Sequence, residues 1–184
     1  AMKLQRLTED ILDVQKIESK TMNLKKERFH LNTLILDVVR EYRNQLENKN
    51  GNKDDDVEIK VNVANKDIPL FIEADRYRVT QVITNLLSNA VKFTVKGRIL
   101  ICLQQKKGKH LPEVLVSVTD TGQGIDPHIL PRIFSRFVSK SYQGTGLGLY
   151  ISKGIVEAHG GKIWGKNNDD GKGATFSFSL PSTH

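Results

Sequence analysis

One amphipathic helix constrains the fold of this 184-residue chain more than any other stretch of its sequence. The helical pattern begins after Asp75, a favourable N-cap residue, and continues to about Phe93. At about 100° per residue, one side of the helix carries only apolar residues, namely Val79, Val82, Ile83, Leu86, Leu87 and Ala90. Such a face must be covered, so the rest of the fold has to supply an apolar layer beneath it.

Strand patterns on both sides of this helix can supply that layer. Alternating or short apolar runs predict strands at 57–63, 70–74, 98–105, 113–119, 162–166 and 174–180. Further helices are predicted at 3–20, 31–48 and 147–159. Helices that interleave with strands able to pair antiparallel predict an α/β fold, specifically a two-layer α/β sandwich.

Composition limits the classes of protein that the sequence can represent. Hydrophobic residues make up 38% of the chain, enough for one core, and no apolar run approaches the ~18 residues of a membrane-spanning helix. The one cysteine, Cys102, excludes an internal disulfide and fits a cytoplasmic setting, although a parent protein with a membrane anchor stays open. A net charge of +7 suits nucleic acid or a nucleotide triphosphate. Because the lysines are dispersed and only 7% of residues are aromatic, we predict no nucleic-acid partner.

The polar side of the helix after Asp75 is the first pattern that can carry chemistry. Asn85, Asn89 and Lys92 fall within an arc of about 80° that begins at Gln81. Amide oxygens can complete the octahedron of Mg²⁺, and a lysine at the end of the stripe can meet a phosphate. The alternative is an ordinary solvated face, which most amphipathic helices have.

Three glycine-rich stretches lie downstream, and their alternatives are structural. Residues 120–125 place Asp120 at a strand end, where a carboxylate can accept a hydrogen bond from an amine such as that of adenine; they equally suit a plain turn. Residues 144–149 open a helix with three glycines and can present free N–H groups to an anion. Residues 171–176 suit a hairpin turn, or a hydroxyl contact from Thr175 to a ligand.

The order of these patterns resembles the histidine-kinase-like ATPase superfamily, in particular the catalytic ATP-binding domain of sensor histidine kinases of two-component systems. The matching stretches are 85–94 for the N box, 120–125 for the first glycine box, 133–137 for the F box, 144–149 for the second glycine box and 171–176 for the last. The resemblance extends from about 29 to 181 and includes Asp75, Arg78 and Gln81. It implies a Bergerat-type fold, in which a mixed sheet is backed by helices and ATP lies between helices and a flexible lid.

The resemblance implies ATP and Mg²⁺ as the ligands of the site and four residues that act on the phosphates. Asn89 is the expected principal Mg²⁺ ligand, with Asn85 beside it. Lys92 is expected to contact phosphate. Of three candidate lid cations, Arg132, Arg136 and Lys140, Arg136 is preferred because it fits the basic position of the F box.

The remaining implied contacts surround the nucleotide. Asp120 is expected to bind the adenine amine, helped by Thr175 through water, and residues 125–145 are the expected lid. The full set of implied nucleotide contacts is Asp120, Gly122, Gly124, Ile125, Lys140, Gly144, Thr145, Gly146, Leu147, Gly148 and Thr175.

Residues 7–18 resemble the end of the second helix of the family's dimerization and phosphotransfer domain. We therefore divide the chain into 1–22, the end of that helix pair with its linker, and 23–184, the catalytic ATP-binding domain. A narrow apolar seam on the first helix needs a partner helix, in this chain or in a second one; its residues are Leu4, Leu7, Ile11 and Val14.

The family's phosphoacceptor box, a histidine followed by an acid, is not found in this sequence. None of the five histidines stands in such a run: His30, His110, His128, His159 and His184. A capping role is expected for His159, which precedes two glycines at a helix end. The expected partners are therefore the parent's own dimerization/phosphotransfer domain, in a homodimer, and the receiver domain of a response regulator.

The residue at position 85 distinguishes between reactions of the superfamily. Hydrolytic members resemble each other in carrying a glutamate four residues before the metal asparagine, where it acts as a general base. Here that residue is Asn85, whose amide cannot accept a proton, so the resemblance implies that Mg-ATP is positioned for a histidine nucleophile from elsewhere. Two alternatives are a serine or protein kinase of the same superfamily, such as an anti-sigma-factor kinase, and a nucleotide-gated interaction module.

Overall fold

Helices and strands alternate along the computed structural model, which describes residues 2–50, 57–63, 70–106, 112–138 and 145–182. In this part of the chain the α-helices are α1 (Met2–Glu18), α2 (Leu31–Asn50), α3 (Arg76–Phe93) and α4 (Gly148–Ala158). The strands are β1 (Lys26–His30), β2 (Val57–Val63), β3 (Phe71–Asp75), β4 (Gly97–Lys106), β5 (Glu113–Asp120), β6 (Lys162–Asn167) and β7 (Ala174–Pro181). A 3₁₀ turn spans Leu130–Arg132 between β5 and α4.

Five of the strands form one sheet in the order β2-β4-β5-β7-β6. Strand β2 pairs parallel with β4, and the other neighbours pair antiparallel, so the sheet is mixed. Strands β1 and β3 form a separate antiparallel pair beside the start of α3. Helices α2, α3 and α4 contact the large sheet, which confirms the two-layer α/β sandwich and the mixed sheet.

The core lies between α3 and the inner face of the large sheet. Alternate residues of β4 and β5 are fully buried there, as expected for strands with one covered face: Ile99, Ile101, Leu103, Val114, Val116 and Val118. The apolar face predicted for α3 is buried with them, from Val79 to Ala90. Since each buried aliphatic side chain contributes roughly 1.5–3 kcal/mol, this face fixes α3 on the sheet and turns its polar side away from it.

Asp75 caps the start of α3 as predicted, and His159 binds the same residue from the end of α4. The Asp75 carboxylate accepts the Arg78 N–H at 3.1 Å, and His159 Nε2 accepts the Asp75 N–H at 3.0 Å. His159 Nδ1 lies 2.8 Å from the Ile155 carbonyl oxygen, so Nδ1 carries the proton, and burial lowers the pKa of the ring. The residue predicted to cap α4 is therefore a neutral histidine that joins α4 to α3.

Helix α1 lies against α4, but its contacts differ from the predicted seam. Of the four seam residues only Val14 is buried, and the other three are at least 37% exposed. Ile17 packs on Gly154 of α4, where a Cβ atom would lie 2.5 Å from the Ile17 Cδ1 atom. Within this chain the seam is therefore covered only at Val14, and a partner helix from a second chain, the other partner predicted for it, stays a prediction. The boundary between 1–22 and 23–184 stays a prediction.

Three further expectations concern the ends and surfaces of elements. Helix α2 continues to Asn50, two residues beyond its predicted end. Most of the predicted loops at 49–56 and 106–112 lie outside the described residues. No helix in the described ranges has the length and apolar composition needed to span a membrane.

Candidate functional site

A cavity of about 690 Å³ opens between α3, α4 and the segment that follows β5. This volume is typical of small-molecule sites, which range over roughly 300–1,000 Å³. The residues that line the cavity are Leu7, Asp10, Asn85, Ser88, Asn89, Ala90, Lys92, Phe93, Asp120, Gln123, Gly124, Ile125, Asp126, Ile129, Ile133, Val138, Thr145, Gly146, Gly148, Leu149, Ala174 and Phe176.

The polar side of α3 forms one wall of this cavity. Asn85, Asn89 and Lys92 all line it, so the stripe inferred from helical spacing reaches a single site. Asn85 is buried, and its Nδ2 group donates to the Gly148 carbonyl oxygen and to Ser152 Oγ, both at 3.3 Å. These bonds use the N–H groups of the Asn85 amide and leave its oxygen as a ligand atom for a cation.

Asp120 is the buried carboxylate of the cavity, at 4% exposure. Its Oδ1 accepts the Gly122 N–H at 2.8 Å and the Ala174 N–H at 3.4 Å. Burial raises the pKa of Asp120 above the ordinary aspartate value, and the two backbone donors oppose that shift. Gly173 permits this packing: its φ is +75°, and a Cβ atom there would lie 2.0 Å from the Asp120 carbonyl oxygen.

The second glycine box joins the F box to the start of α4. Gly146 has a φ of +68°, and a Cβ atom there would lie 2.8 Å from the Phe137 Cα atom. The Phe137 N–H donates to the Gly146 carbonyl oxygen at 3.0 Å, which holds the two boxes together. Helix α4 begins at Gly148, which lines the cavity, so the first turn of the helix can offer unpaired N–H groups to an anion there.

Most of the residues predicted to bind nucleotide meet in this cavity. Those that line it are Asn85, Asn89, Lys92, Asp120, Gly124, Ile125, Thr145, Gly146 and Gly148. Gly122 does not line it and instead donates its N–H to Asp120. Leu147 also does not, because its side chain is 1% exposed in the hydrophobic core. Lys140 and Gly144 lie outside the described residues.

The predicted role of Thr175 requires a correction. Alternate residues of β7 face opposite sides of the sheet, and Ala174 and Phe176 are the two that line the cavity. The Thr175 hydroxyl donates to Asn168 Oδ1 at 2.7 Å and lies 2.9 Å from Thr119 Oγ1. Both bonds hold the hydroxyl away from the cavity side of β7, so a direct or water-mediated contact with adenine does not fit this geometry.

Arg136 also lies apart from the cavity in this structure. Its guanidinium forms an ion pair with Glu18, at the end of α1, and lies 6.0 Å from the centre of the Tyr150 ring. Arg132, the other described lid cation, is exposed and does not line the cavity either. In this structure the guanidinium binds Glu18, and a contact between Arg136 and phosphate stays a prediction.

Several residues of the cavity were not predicted from the sequence. Ile129 and Ile133 form an apolar part of its wall. They lie four residues apart, a spacing that places two side chains on one face, but the surrounding segment shows no regular pattern and the pair was not noticed. Leu7 was assigned to the helical seam. Asp10, whose Oδ2 accepts the Thr145 hydroxyl at 3.2 Å, gave no local signal, because its position depends on how α1 packs.

Comparisons with known proteins show that the sequence is similar to one family of ATPases. The family described as "Histidine kinase-, DNA gyrase B-, and HSP90-like ATPase" matches residues 74–184, more than half of the chain. The sensor histidine kinase WalK of Bacillus subtilis is 32% identical over 183 residues, which cover 96% of this chain and 28% of WalK. The sensor protein KdpD of Clostridium acetobutylicum is 37% identical over 96% of this chain, which spans 19% of KdpD.

Solved structures of histidine kinases share the fold. Full-length ShkA in complex with AMPPNP superposes with a TM-score of 0.82 at 30% identity, over 98% of this chain and 36% of ShkA. The catalytic domain of histidine kinase ThkA gives 0.72 at 34% identity, over 88% of this chain and 97% of that domain. ThkA in complex with the response regulator protein TrrA gives 0.72 at 30% identity, over 98% of this chain and 49% of ThkA. The chain therefore belongs to the histidine kinase-, DNA gyrase B- and HSP90-like ATPase family, and within it resembles the catalytic domains of sensor histidine kinases.

Proposed function

We propose that the chain binds Mg-ATP in this cavity and positions the γ-phosphate for transfer to a histidine of a dimerization and phosphotransfer domain, in two-component signal transduction. The observation that carries the proposal is the joint lining of one cavity by a buried carboxylate, Asp120, and by the polar stripe of α3. The carboxylate suits a purine amine, and the polar stripe suits phosphates and a metal ion. AMPPNP, named in the complex with ShkA, is an ATP analogue, which supports the same ligand class for this chain.

Adenine recognition is proposed to rest on the Asp120 carboxylate. Its two backbone donors both bind Oδ1, and within the described residues no hydrogen bond to Oδ2 is found. An ionised Oδ2 would accept a hydrogen bond from an exocyclic amine, and burial strengthens such a bond. The apolar side chains of Ile125, Ile133 and Phe176 line the same cavity and suit the faces of a flat ring.

The phosphate end of the site is proposed to lie along α3 and at the start of α4. The amide oxygens of Asn85 and Asn89 would hold Mg²⁺, which supplies charge neutralisation on the phosphates when bound. The residues fit this ion, because Mg²⁺ prefers oxygen ligands and usually shares its coordination between few protein groups, water and phosphate oxygens. Lys92 would contact a phosphate oxygen, and the N–H groups of the first turn of α4 would bind another.

The attacking nucleophile is proposed to come from outside this chain. Among the described histidines, His30, His128 and His159, none lines the cavity. His159 is buried with both ring nitrogens in hydrogen bonds. The amide at Asn85 cannot act as a base toward water, so the site is suited to hold ATP until a histidine side chain arrives.

The partners follow from the same proposal. A dimerization and phosphotransfer helix pair of the parent protein, as a homodimer, would supply the histidine, and a response regulator receiver domain would accept the phosphate. The complex of ThkA with the response regulator protein TrrA supports a regulator as partner for this chain. We place the domain in the cytoplasm, where response regulators act, with or without a membrane anchor in the parent.

A nucleotide-gated interaction module is the second candidate function, and the contacts of α1 favour it. Glu18 binds Arg136 of the F box, and Asp10 accepts a hydrogen bond from Thr145 of the second glycine box. Nucleotide that displaced these contacts would alter how α1 sits on the domain. In that case ATP binding would change the hydrogen exchange of α1 while no phosphate is transferred to any histidine.

Nucleotide binding is the first experimental test of the proposal. Isothermal titration calorimetry of the chain with Mg-ATP, Mg-ADP and Mg-GTP should give micromolar to millimolar dissociation constants for the adenine nucleotides and weaker binding of GTP. An absence of adenine nucleotide binding at millimolar ligand would overturn the proposal. Equal affinity for ATP and GTP would mean that Asp120 does not recognise the base.

A further inference from the structure

Two consecutive asparagines at the end of β6 belong to none of the motifs that the sequence suggested. Asn167 is the last residue of β6, Asn168 follows it, and neither lines the cavity. Their side chains nonetheless bind the backbone of both glycine-rich segments around Asp120, the loop 120–125 and the hairpin 168–173.

The side-chain amide of Asn167 binds both backbone groups of Ile125, as the backbone of a neighbouring β-strand would. Its Oδ1 accepts the Ile125 N–H at 2.6 Å, and its Nδ2 donates to the Ile125 carbonyl oxygen at 2.8 Å. The paired hydrogen bonds fix both the position and the rotation of this peptide segment. Because Ile125 lines the cavity, Asn167 determines where the loop 120–125 joins the cavity wall.

The side chain of Asn168 holds Asp120 directly. Its Nδ2 donates to the Asp120 carbonyl oxygen at 2.8 Å and to the Lys172 carbonyl oxygen at 2.7 Å. Two carbonyl oxygens face the amide nitrogen and the Thr175 hydroxyl faces the amide oxygen, so one orientation of the side chain satisfies all three groups. Asn168 thereby joins the backbone of Asp120 to the hairpin 168–173.

A chain of hydrogen bonds continues from Asn168 to the outer face of the sheet. Thr175 has one hydroxyl proton, which it donates to Asn168 Oδ1. The hydroxyl of Thr119, 2.9 Å away, must therefore donate to Thr175. These hydrogen bonds run from Thr119 through Thr175 and Asn168 to the Asp120 backbone carbonyl oxygen, so Thr175 supports the Asp120 backbone without touching the cavity.

We propose that Asn167 and Asn168 are positioning residues that set adenine specificity by holding Asp120 and its loop at the distance and angle an adenine amine requires. The inference rests on the proposed binding of ATP in this cavity. A hydrogen bond to a base edge is directional, and a positional error of about half an ångström is enough to weaken it. A less firmly held loop should therefore weaken the binding of ATP more than the binding of GTP. The amine of adenine meets Asp120, whereas guanine carries no amine at that position.

The test compares nucleotide selectivity in matched variants by calorimetry with Mg-ATP and Mg-GTP. Asn168→Leu removes all three hydrogen bonds while keeping the side chain near its original size. It should lower the affinity for ATP about tenfold and change the affinity for GTP little. Asn62→Leu, at an exposed position of the far edge strand β2, is the control and should leave the ratio of the two affinities unchanged. A general loss of structure would lower the affinities for both nucleotides together. The ratio of ATP to GTP affinity therefore distinguishes an effect on positioning from an effect on stability.

Two milder variants keep the test valid if Asn168→Leu does not fold. Asn167→Asp retains the acceptor for the Ile125 N–H but loses the donor, and Thr175→Val removes the hydroxyl with little change in volume. Both should lower the ratio of ATP to GTP affinity in the same direction. A wild-type ratio in all folded variants would overturn the inference and leave the proposed function standing. A wild-type chain that binds no adenine nucleotide would overturn the proposed function together with the inference.

Discussion

The Asp13 carboxylate and the Arg78 guanidinium form a buried ion pair, with Oδ2 and Nη1 2.6 Å apart. The two residues lie 65 positions apart in the sequence, on α1 and α3. Gln81 Nε2 also donates to Asp13 Oδ2 at 2.9 Å, while its Oε1 accepts a bond from Arg78 at 2.9 Å. This three-residue network fixes the N-terminal helix on α3, the helix that carries the polar stripe of Asn85, Asn89 and Lys92.

Removal of the Asp13 carboxylate should destabilise the protein. We expect Asp13→Ala to lower the free energy of unfolding by about 3 kcal/mol, because the Arg78 guanidinium would stay largely buried without its partner. Urea unfolding followed by circular dichroism measures the change. Glu157→Ala, which breaks the exposed pair with Lys153, is the control and should cost less than about 1 kcal/mol. A cost for Asp13→Ala no larger than that of the control would mean that the network does not hold α1.

Asp120→Asn should separate binding from stability. Burial raises the pKa of Asp120 above its ordinary 3.8, so the ionised form at neutral pH costs stability, and stability rises as the pH falls through the folded pKa. The neutral amide removes this cost while its oxygen still accepts the two backbone N–H groups. We expect the melting temperature of Asp120→Asn at neutral pH to equal or exceed that of the wild type, while ATP binds more weakly.

The selectivity of the same variant checks the role of the carboxylate. An amide oxygen is a weaker acceptor than a carboxylate, and its NH₂ group would repel an adenine amine, so ATP should lose more affinity than GTP. Calorimetry at neutral pH gives both constants. A ratio of ATP to GTP affinity that is independent of the substitution would place the base elsewhere.

Local periodicity was sufficient to predict the central helix and its polar stripe, whereas the other predicted residues of the cavity came from the glycine-rich motifs and the family resemblance. The apolar and polar faces of α3 follow from spacing alone, and the Asp75 cap follows from residue type. The error at Thr175 was avoidable, because the alternation of Ala174, Phe176 and Phe178 already assigns Thr175 to the other face of β7.

Contacts between distant elements were beyond the reach of local patterns. Asp13 is one of several acidic residues of α1 and no local pattern distinguishes it, because only the packing of α1 brings it to Arg78 and Gln81. The same packing leaves Leu4 exposed although its spacing fits a helical seam. Asn167 and Asn168 bind backbone atoms, which carry no residue signature, so no motif could indicate their contacts.

The buried His159 should make the protein less stable in mild acid. Burial lowers the pKa of His159 below its ordinary 6.5, and protonation of Nε2 would remove the acceptor for the Asp75 N–H. As the pH falls below 6.5 the unfolded chain takes up a proton that the folded chain does not, so the free energy of unfolding falls until the folded pKa is reached. His159→Gln keeps an acceptor oxygen and should show a flatter profile in urea unfolding between about pH 7.5 and about pH 5, a range that brackets the ordinary histidine value.

The control for this prediction is the exposed His128. His128→Gln should not reproduce the flattening, because His128 is exposed and lies outside the contact between α3 and α4. If the free energy of unfolding of the wild type changed with pH no more than that of His159→Gln, His159 would not contribute to the pH dependence of stability.

Release of Arg136 from Glu18 should strengthen nucleotide binding slightly. Glu18→Gln weakens the ion pair and frees the guanidinium for a phosphate, but both side chains are about half exposed and the pair is screened by water. We therefore expect no more than about a threefold gain in Mg-ATP affinity at low salt, and no gain at high salt. When Arg136→Gln is already present, adding Glu18→Gln should produce no further change in affinity. A gain that persists in the Arg136→Gln background would assign the effect of Glu18 to another contact.

The last prediction concerns phosphotransfer. Alone, the chain should hydrolyse ATP very slowly, because Asn85 cannot act as the general base that typically contributes ~10²–10⁴-fold. A separate protein with the parent's histidine helix pair should become labelled from γ-labelled ATP in the presence of this chain, and the label should be acid-labile, as phosphohistidine is. The rate should be low because the two parts meet by diffusion and without a tether.

Two substitutions identify the site of this reaction. Asn89→Ala should abolish the labelling by removing a proposed metal ligand, and Asp120→Ala should abolish it by weakening the binding of ATP. Asn62→Ala on β2 should leave the labelling unchanged. If the labelling survived Asn89→Ala, the phosphates would have to bind away from the α3 stripe. Acid-stable label on this chain alone, or rapid phosphate release from it, would mean that a hydroxyl or water is the nucleophile, and the serine-kinase or ATPase alternative would replace the histidine reaction.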